Sequence, residues 1–125
     1  MNKRKMNIWG REFDLPVIYE CYDGEEVLES QKEAEALLEE NSKEVAGSLN
    51  QVKKYIQETE AAQLTEDKID NIFRYVMPKS VFVPHIAEHL TAAIMCDYKF
   101  DLEHGIEVVF ENGLFKEVGP QDIVL

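Results

Sequence analysis

The dipeptide Asn112-Gly113 constrains this chain more than any other feature of its sequence. It separates two apolar runs, Ile106–Glu111 and Leu114–Val118. Asn and Gly both tolerate left-handed backbone, which a two-residue hairpin turn needs at both positions to match the twist of its strands. The spacing predicts an antiparallel hairpin with Phe110 opposite Phe115, an aromatic cross-strand pair on one face. A hairpin with one apolar face is not stable alone, so the rest of the chain must cover it.

The N-terminal end offers a second hairpin. Met6–Trp9 reads as a short strand, Gly10-Arg11 as the turn and Glu12–Tyr22 as the partner, because Val17, Tyr19 and Cys21 alternate with Ile18, Glu20 and Tyr22. Pro16 lacks an N–H and implies an edge position or a bulge. Helical sequence follows for about fifty residues. Val27, Leu28, Ala34, Leu37 and Leu38 share one helical face, and Val45, Leu49, Val52 and Ile56 form the cleanest amphipathic stripe. Ser42 is the expected cap between these two helices. A third helix is expected after Thr65, with Glu66 and Asp67 in its first turn, apolar residues Ile69, Ile72, Phe73 and Val76, and Pro78 as its stop.

Beyond Pro78 the pattern becomes β-rich. Ser80–Val83 and Thr91–Tyr98 are expected as strands, and Asp122–Leu125 as a last short one. Strands, then helices, then strands predict one α+β domain over residues 1–125, an antiparallel sheet with about three helices on one face. Leu49, Val52, Ile56, Ile72, Phe73, Phe110 and Phe115 are the expected core, with Trp9 as an anchor.

Charge narrows the range of partners. Acids outnumber bases 25 to 13, a net charge of −12, which repels nucleic acid phosphates and anionic membrane surfaces. The stretch Glu25–Glu44 holds eight acids and two bases. Helical periodicity leaves Glu25, Glu29, Glu33, Glu39 and Glu40 on its outer side, a surface suited to a basic protein, with Glu29, Glu33 and Glu40 as the expected contacts. Cys21 and Cys96 lack metal-ligand spacing and read as reduced thiols. The basic N-terminus lacks the apolar stretch of a signal peptide, and the expected location is cytoplasmic.

Two segments invite a chemical reading. His85-Ile86-Ala87-Glu88-His89 matches H-x-x-E-H and resembles the inverzincin metalloprotease signature. Pro84 precedes it and the segment reads equally well as a connector, so neither a metal nor a catalytic role is expected. Asp97–Gly105 gathers Asp97, Asp101, Glu103 and His104 between two strands. Asp101 is placed to cap a turn, Glu103 and His104 to pair, and Gly105 to turn the backbone. No phosphate-binding loop and no nucleophile triad is present.

The sequence Phe100-Asp101-Leu102-Glu103-His104-Gly105-Ile106, continuing through Glu111-Asn112-Gly113, resembles a group of uncharacterised bacterial proteins that end in an aromatic-D-x-E-H-G hairpin. In them an N-terminal hairpin precedes a Q-x-E-A helix, matched by Gln31-Lys32-Glu33-Ala34. Some similar small acidic proteins look like immunity proteins of bacterial toxin systems. The expectation is therefore a non-catalytic interaction module without cofactor or metal. It would bind a basic protein through Glu29, Glu33, Glu40, Asp101, Glu103 and His104. The alternative is a small-ligand or metal-binding domain built on Asp97–His104.

Overall fold

The computed structural model describes residues 3–66, 68–85 and 89–120. Six strands form one sheet in sequence order: β1 (Lys3–Ile8), β2 (Arg11–Tyr19), β3 (Val76–Val83), β4 (Thr91–Tyr98), β5 (Ile106–Glu111) and β6 (Leu114–Gly119). Two α-helices, α1 (Glu29–Glu40) and α2 (Ser42–Thr59), connect β2 to β3. The expected last strand, Asp122–Leu125, lies outside the described residues.

The sheet is mixed, not antiparallel throughout. β2 pairs parallel to β3 through Val17–Val81, Ile18–Phe82 and Tyr19–Val83, while every other neighbouring pair is antiparallel. The cause is the crossover: a chain that leaves β2, runs through two helices and returns beside β2 arrives pointing the same way. Pro16 is accommodated because the ladder to β3 begins only at Val17.

Both hairpin turns carry left-handed backbone. Asn112 and Gly113 have φ of 53° and 81°, and Phe110 faces Phe115 with ring centroids 6.2 Å apart. At the other hairpin the turn is Trp9-Gly10, one residue earlier than expected, with φ of 55° and 88°. A tryptophan is a poor choice for positive φ. Its cost is offset by burial of the indole and by an Nε1 donation to Ser48 Oγ on α2 at 3.0 Å.

The third helix is not formed. The segment makes one turn of 3-10 helix, Ile72–Arg74, and then enters β3. Val76, Pro78, Val81 and Val83 all point inward there, which is strand periodicity with one extra residue; the register with β4 shifts between Pro78 and Ser80. That irregularity lets Pro78 sit inside a strand instead of stopping a helix. α1 also begins later than expected. Leu28 is its N-cap and is 39% exposed, because Gln31 rather than Leu28 takes the inward position of the first turn.

One core joins the helices to one face of the sheet. Ala34 and Leu38 of α1 and Val45, Val52 and Ile56 of α2 pack on Ile8, Val17, Val81, Ile94, Val108 and Phe110. Val52 and Ile56 are fully buried, and such side chains contribute about 1.5–3 kcal/mol each. Ile72 is buried, and Leu49, Phe73 and Phe115 pack partly buried against the same cluster. The sheet curves so that α2 meets both of its edges, β1 and β6. Phe115 N–H at the β6 edge donates to the Glu44 carboxylate of α2 at 2.8 Å.

Candidate functional site

The helix α1 divides its acids into two sets. Glu35 is buried, takes a bond from the Tyr19 hydroxyl and pairs with Arg4, which also holds Glu39. Burial, together with the Glu35 bond, pushes the Tyr19 phenol up to about 12. Beyond this helix, Glu44 of α2 is engaged by the Phe115 N–H. The remaining three, Glu29, Glu33 and Glu40, are spaced i, i+4 and i+11 and share one exposed stripe. Glu29 reaches Lys32 loosely at 3.7 Å; among the described residues, Glu33 and Glu40 have no ion-pair partner.

Gln31 and Ala34, from the Q-x-E-A sequence, face the core. The Gln31 amide donates to the carbonyls of Glu20 at 2.9 Å and Val83 at 3.1 Å, and its oxygen accepts from Leu28 N–H at 2.9 Å. This side chain therefore fixes α1 to the ends of β2 and β3.

The D-x-E-H-G segment forms a tight turn between β4 and β5. Asp101 Oδ1 accepts from the His104 backbone N–H at 3.1 Å, and Asp101 O accepts from Gly105 N–H at 2.8 Å. Gly105 is buried with φ of 65°, a conformation natural to glycine. The expected Glu103–His104 pair is replaced: His104 Nδ1 lies 3.1 Å from both Asp101 oxygens, because the turn folds the imidazole back over its own cap. The backbone N–H of His104, and then its side chain, hold Asp101 below the usual carboxylate range. Phe100 stacks on Tyr75 with centroids 5.6 Å apart and seats the turn.

Held this way, the turn projects Leu102 and Glu103 beside the face of the sheet that, among the described residues, carries no helix. There Ile18, Lys79, Ser80, Phe82, Met95, Asp97, Leu102, Glu103 and Gly105 line an open groove of about 300 Å³. Lys79 Nζ pairs with Asp97 at 3.3 Å. Leu102 is 78% exposed and Ile18 45%. Of the six residues expected to bind a partner only Glu103 lines this groove, and Asp97 of the alternative ligand site joins it. The α1 stripe stands on a helix packed against the other face of the sheet and anchored at the ends of β2 and β3, while Asp101, Glu103 and His104 lie in the turn that follows the far end of β4. The six residues therefore form two surfaces, not one. The groove's apolar residues were missed; their signal was the other half of the period-two pattern, Met95 and Asp97 alternating with Ile94 and Cys96.

His85 and His89 line one small cavity of about 30 Å³ beside Ser30, Gln31 and Thr91. The His85 side chain is buried, packs edge-on against Tyr22 and has Nε2 3.0 Å from Glu25. Glu88 lies outside the described residues. Among the described residues no group of three or more His, Cys, Asp or Glu is placed to hold a metal ion. Burial raises the Cys96 thiol, and Cys21 is exposed. No helix among the described residues is long and apolar enough to cross a membrane.

No curated protein and no solved structure matches the chain. The model of a domain of unknown function, DUF6985, matches residues 2–125, and the chain belongs to that family.

Proposed function

We propose, with membership of DUF6985 as the premise, that the chain is a non-catalytic protein-interaction module that binds a basic partner in the cytoplasm. The observation that carries this reading is the division of acids on α1. Glu35 and Glu39 are taken up by Arg4 in holding the fold, while Glu29, Glu33 and Glu40 stand together on a solvent stripe. With a net charge of −12 behind it, that stripe steers a positively charged protein toward the domain. A bacterial toxin that acts on nucleic acid carries such a surface, since it must bind phosphate, and an immunity-like role fits the same chemistry.

The test is affinity purification from the native host, followed by association kinetics with the partner recovered. Association should slow as salt shortens the screening length below about 10 Å, and slow again when Glu29, Glu33 and Glu40 are replaced together by Lys. An association rate indifferent to both changes refutes the reading. A second reading, a small-ligand site, is favoured by one observation: Asp97 and Glu103 border the groove on the helix-free face. Saturable binding of a small molecule there, with no protein partner recovered, would select it.

A further inference from the structure

We infer that the groove on the helix-free face of the sheet is the contact site for that partner, and that it takes an apolar side chain flanked by Lys or Arg. This rests on the interaction reading above and adds where contact is made and with what chemistry.

A sheet covered by helices on one face ordinarily presents polar side chains on the other. Here the open face carries Ile18, Phe82 and Met95, and the turn after β4 lays Leu102 beside them. Ile18 and Leu102 are exposed there, at 45% and 78%, with Phe82 and Met95 half-buried between them, and large apolar side chains left side by side in solvent along a groove mark an interaction surface. Methionine adapts its shape to what it meets, which suits a groove floor. Leu102 is not a loose tip. The Asp101 cap and the Gly105 turn hold it in place at 78% exposure, so little ordering remains to be done on contact.

Charge selects the occupant. Lys79 is already held by Asp97 at 3.3 Å. Glu103 is exposed and, among the described residues, has no ion-pair partner, so the rim asks for a cation. A second copy of the chain is disfavoured, because each brings a net charge of −12. The fitting occupant is a segment of a basic protein that places an apolar anchor among Ile18, Met95 and Leu102 and a Lys or Arg on Glu103. The α1 stripe, on a helix packed against the other face of the sheet, then acts on the rate of encounter, and the groove on the lifetime of the complex.

The probe is an amphipathic Lys/Leu peptide, with a Glu/Leu peptide of equal length as control, titrated into the full chain while the methyl resonances of Ile18, Met95 and Leu102 are followed. The Lys/Leu peptide should shift these methyls and the Glu/Leu peptide should not. Leu102→Ser should weaken binding about tenfold, mainly through faster dissociation, as loss of an interface anchor does. Leu102 is exposed, so the variant should keep the wild-type denaturation midpoint, which confirms that folding is intact. Shifts confined to α1, equal binding of both peptides, or a dimer that buries Met95 would each overturn the proposal. The recovered native partner separates the two readings. If reversing the α1 stripe slows its association while Leu102→Ser leaves its dissociation unchanged, the groove assignment fails and the interaction reading stands. If neither variant matters, both fail.

Discussion

Replacing Gln31 by Met tests the most consequential polar contact in the fold. Gln31 is 1% exposed and makes three hydrogen bonds, to Leu28 N–H, Glu20 O and Val83 O. That network also fixes which end of the amide is nitrogen, since two of its partners are carbonyls. Methionine has a similar length and removes all three bonds without opening a large cavity. At about 1 kcal/mol for each bond the ceiling is about 3 kcal/mol. Two details lower it. Val83 O keeps the Glu20 N–H at 2.9 Å, and Leu28, at 39% exposure, leaves its N–H within reach of water. The expected loss is therefore about 2 kcal/mol. Trp9 is the single tryptophan and is buried, so its fluorescence reports global unfolding in urea. Gln31→Glu adds a pH dependence. A carboxylate facing two carbonyls is disfavoured, so the folded-state pKa of the new group rises above its unfolded value. Its stability is retained below the unfolded pKa and lost as pH rises through the folded one. A Gln31→Met loss under about 0.5 kcal/mol, the scale of an ordinary surface change, together with a pH-independent Gln31→Glu, would show that Gln31 does not anchor α1.

Two further outcomes are expected. Gly113→Ala should cost about 1–3 kcal/mol in the same assay, because a Cβ there would lie 2.4 Å from Asn41 Nδ2 and 2.9 Å from Leu37 O at a φ of +81°; an unchanged midpoint would mean that the hairpin tip is not held against the end of α1. Tyr19 and Tyr98 are each pushed up to about 12, chiefly by burial, so protonated phenols are favoured in the folded state and stability should fall as pH rises from about 10 toward about 12. Ultraviolet titration of tyrosinate should show these two ionising with unfolding, and Tyr19→Phe should flatten that loss; early, reversible ionisation of all tyrosines would contradict it.

Where local chemistry decided the structure, it was legible in the sequence. Asn112-Gly113 fixed a hairpin because few residues tolerate its backbone, and Val45, Val52 and Ile56 have no strand reading to compete with their helical spacing. Asp101 was readable as a turn cap for the same reason. The third helix was misread because Ile72, Phe73 and Val76 satisfy a helical period, while the bulge that makes Val76–Val83 a strand is set by pairing with β4, a partner remote in sequence. The parallel pairing of β2 with β3 was hidden likewise, since it depends on where two helices deliver the chain. The groove was half visible. Leu102 and Glu103 stood inside a recognised motif, but Ile18 and Phe82 join them only through that parallel pairing.

The closure of both sheet edges onto α2 also bears on how the protein behaves in a crowd of its own copies. An open edge strand is a template for the next molecule, and chains that leave one exposed risk growing without limit. Here the β1 edge carries Lys3, Arg4 and Lys5, and the turn after it is pinned to Ser48. The β6 edge is broken by a register shift opposite Val109 and Phe110, and its Phe115 N–H is occupied by Glu44. The fold thus withholds its backbone from sheet-to-sheet polymerisation while leaving the Ile18 and Leu102 side chains exposed, which separates recognition by side chains from assembly by main chain.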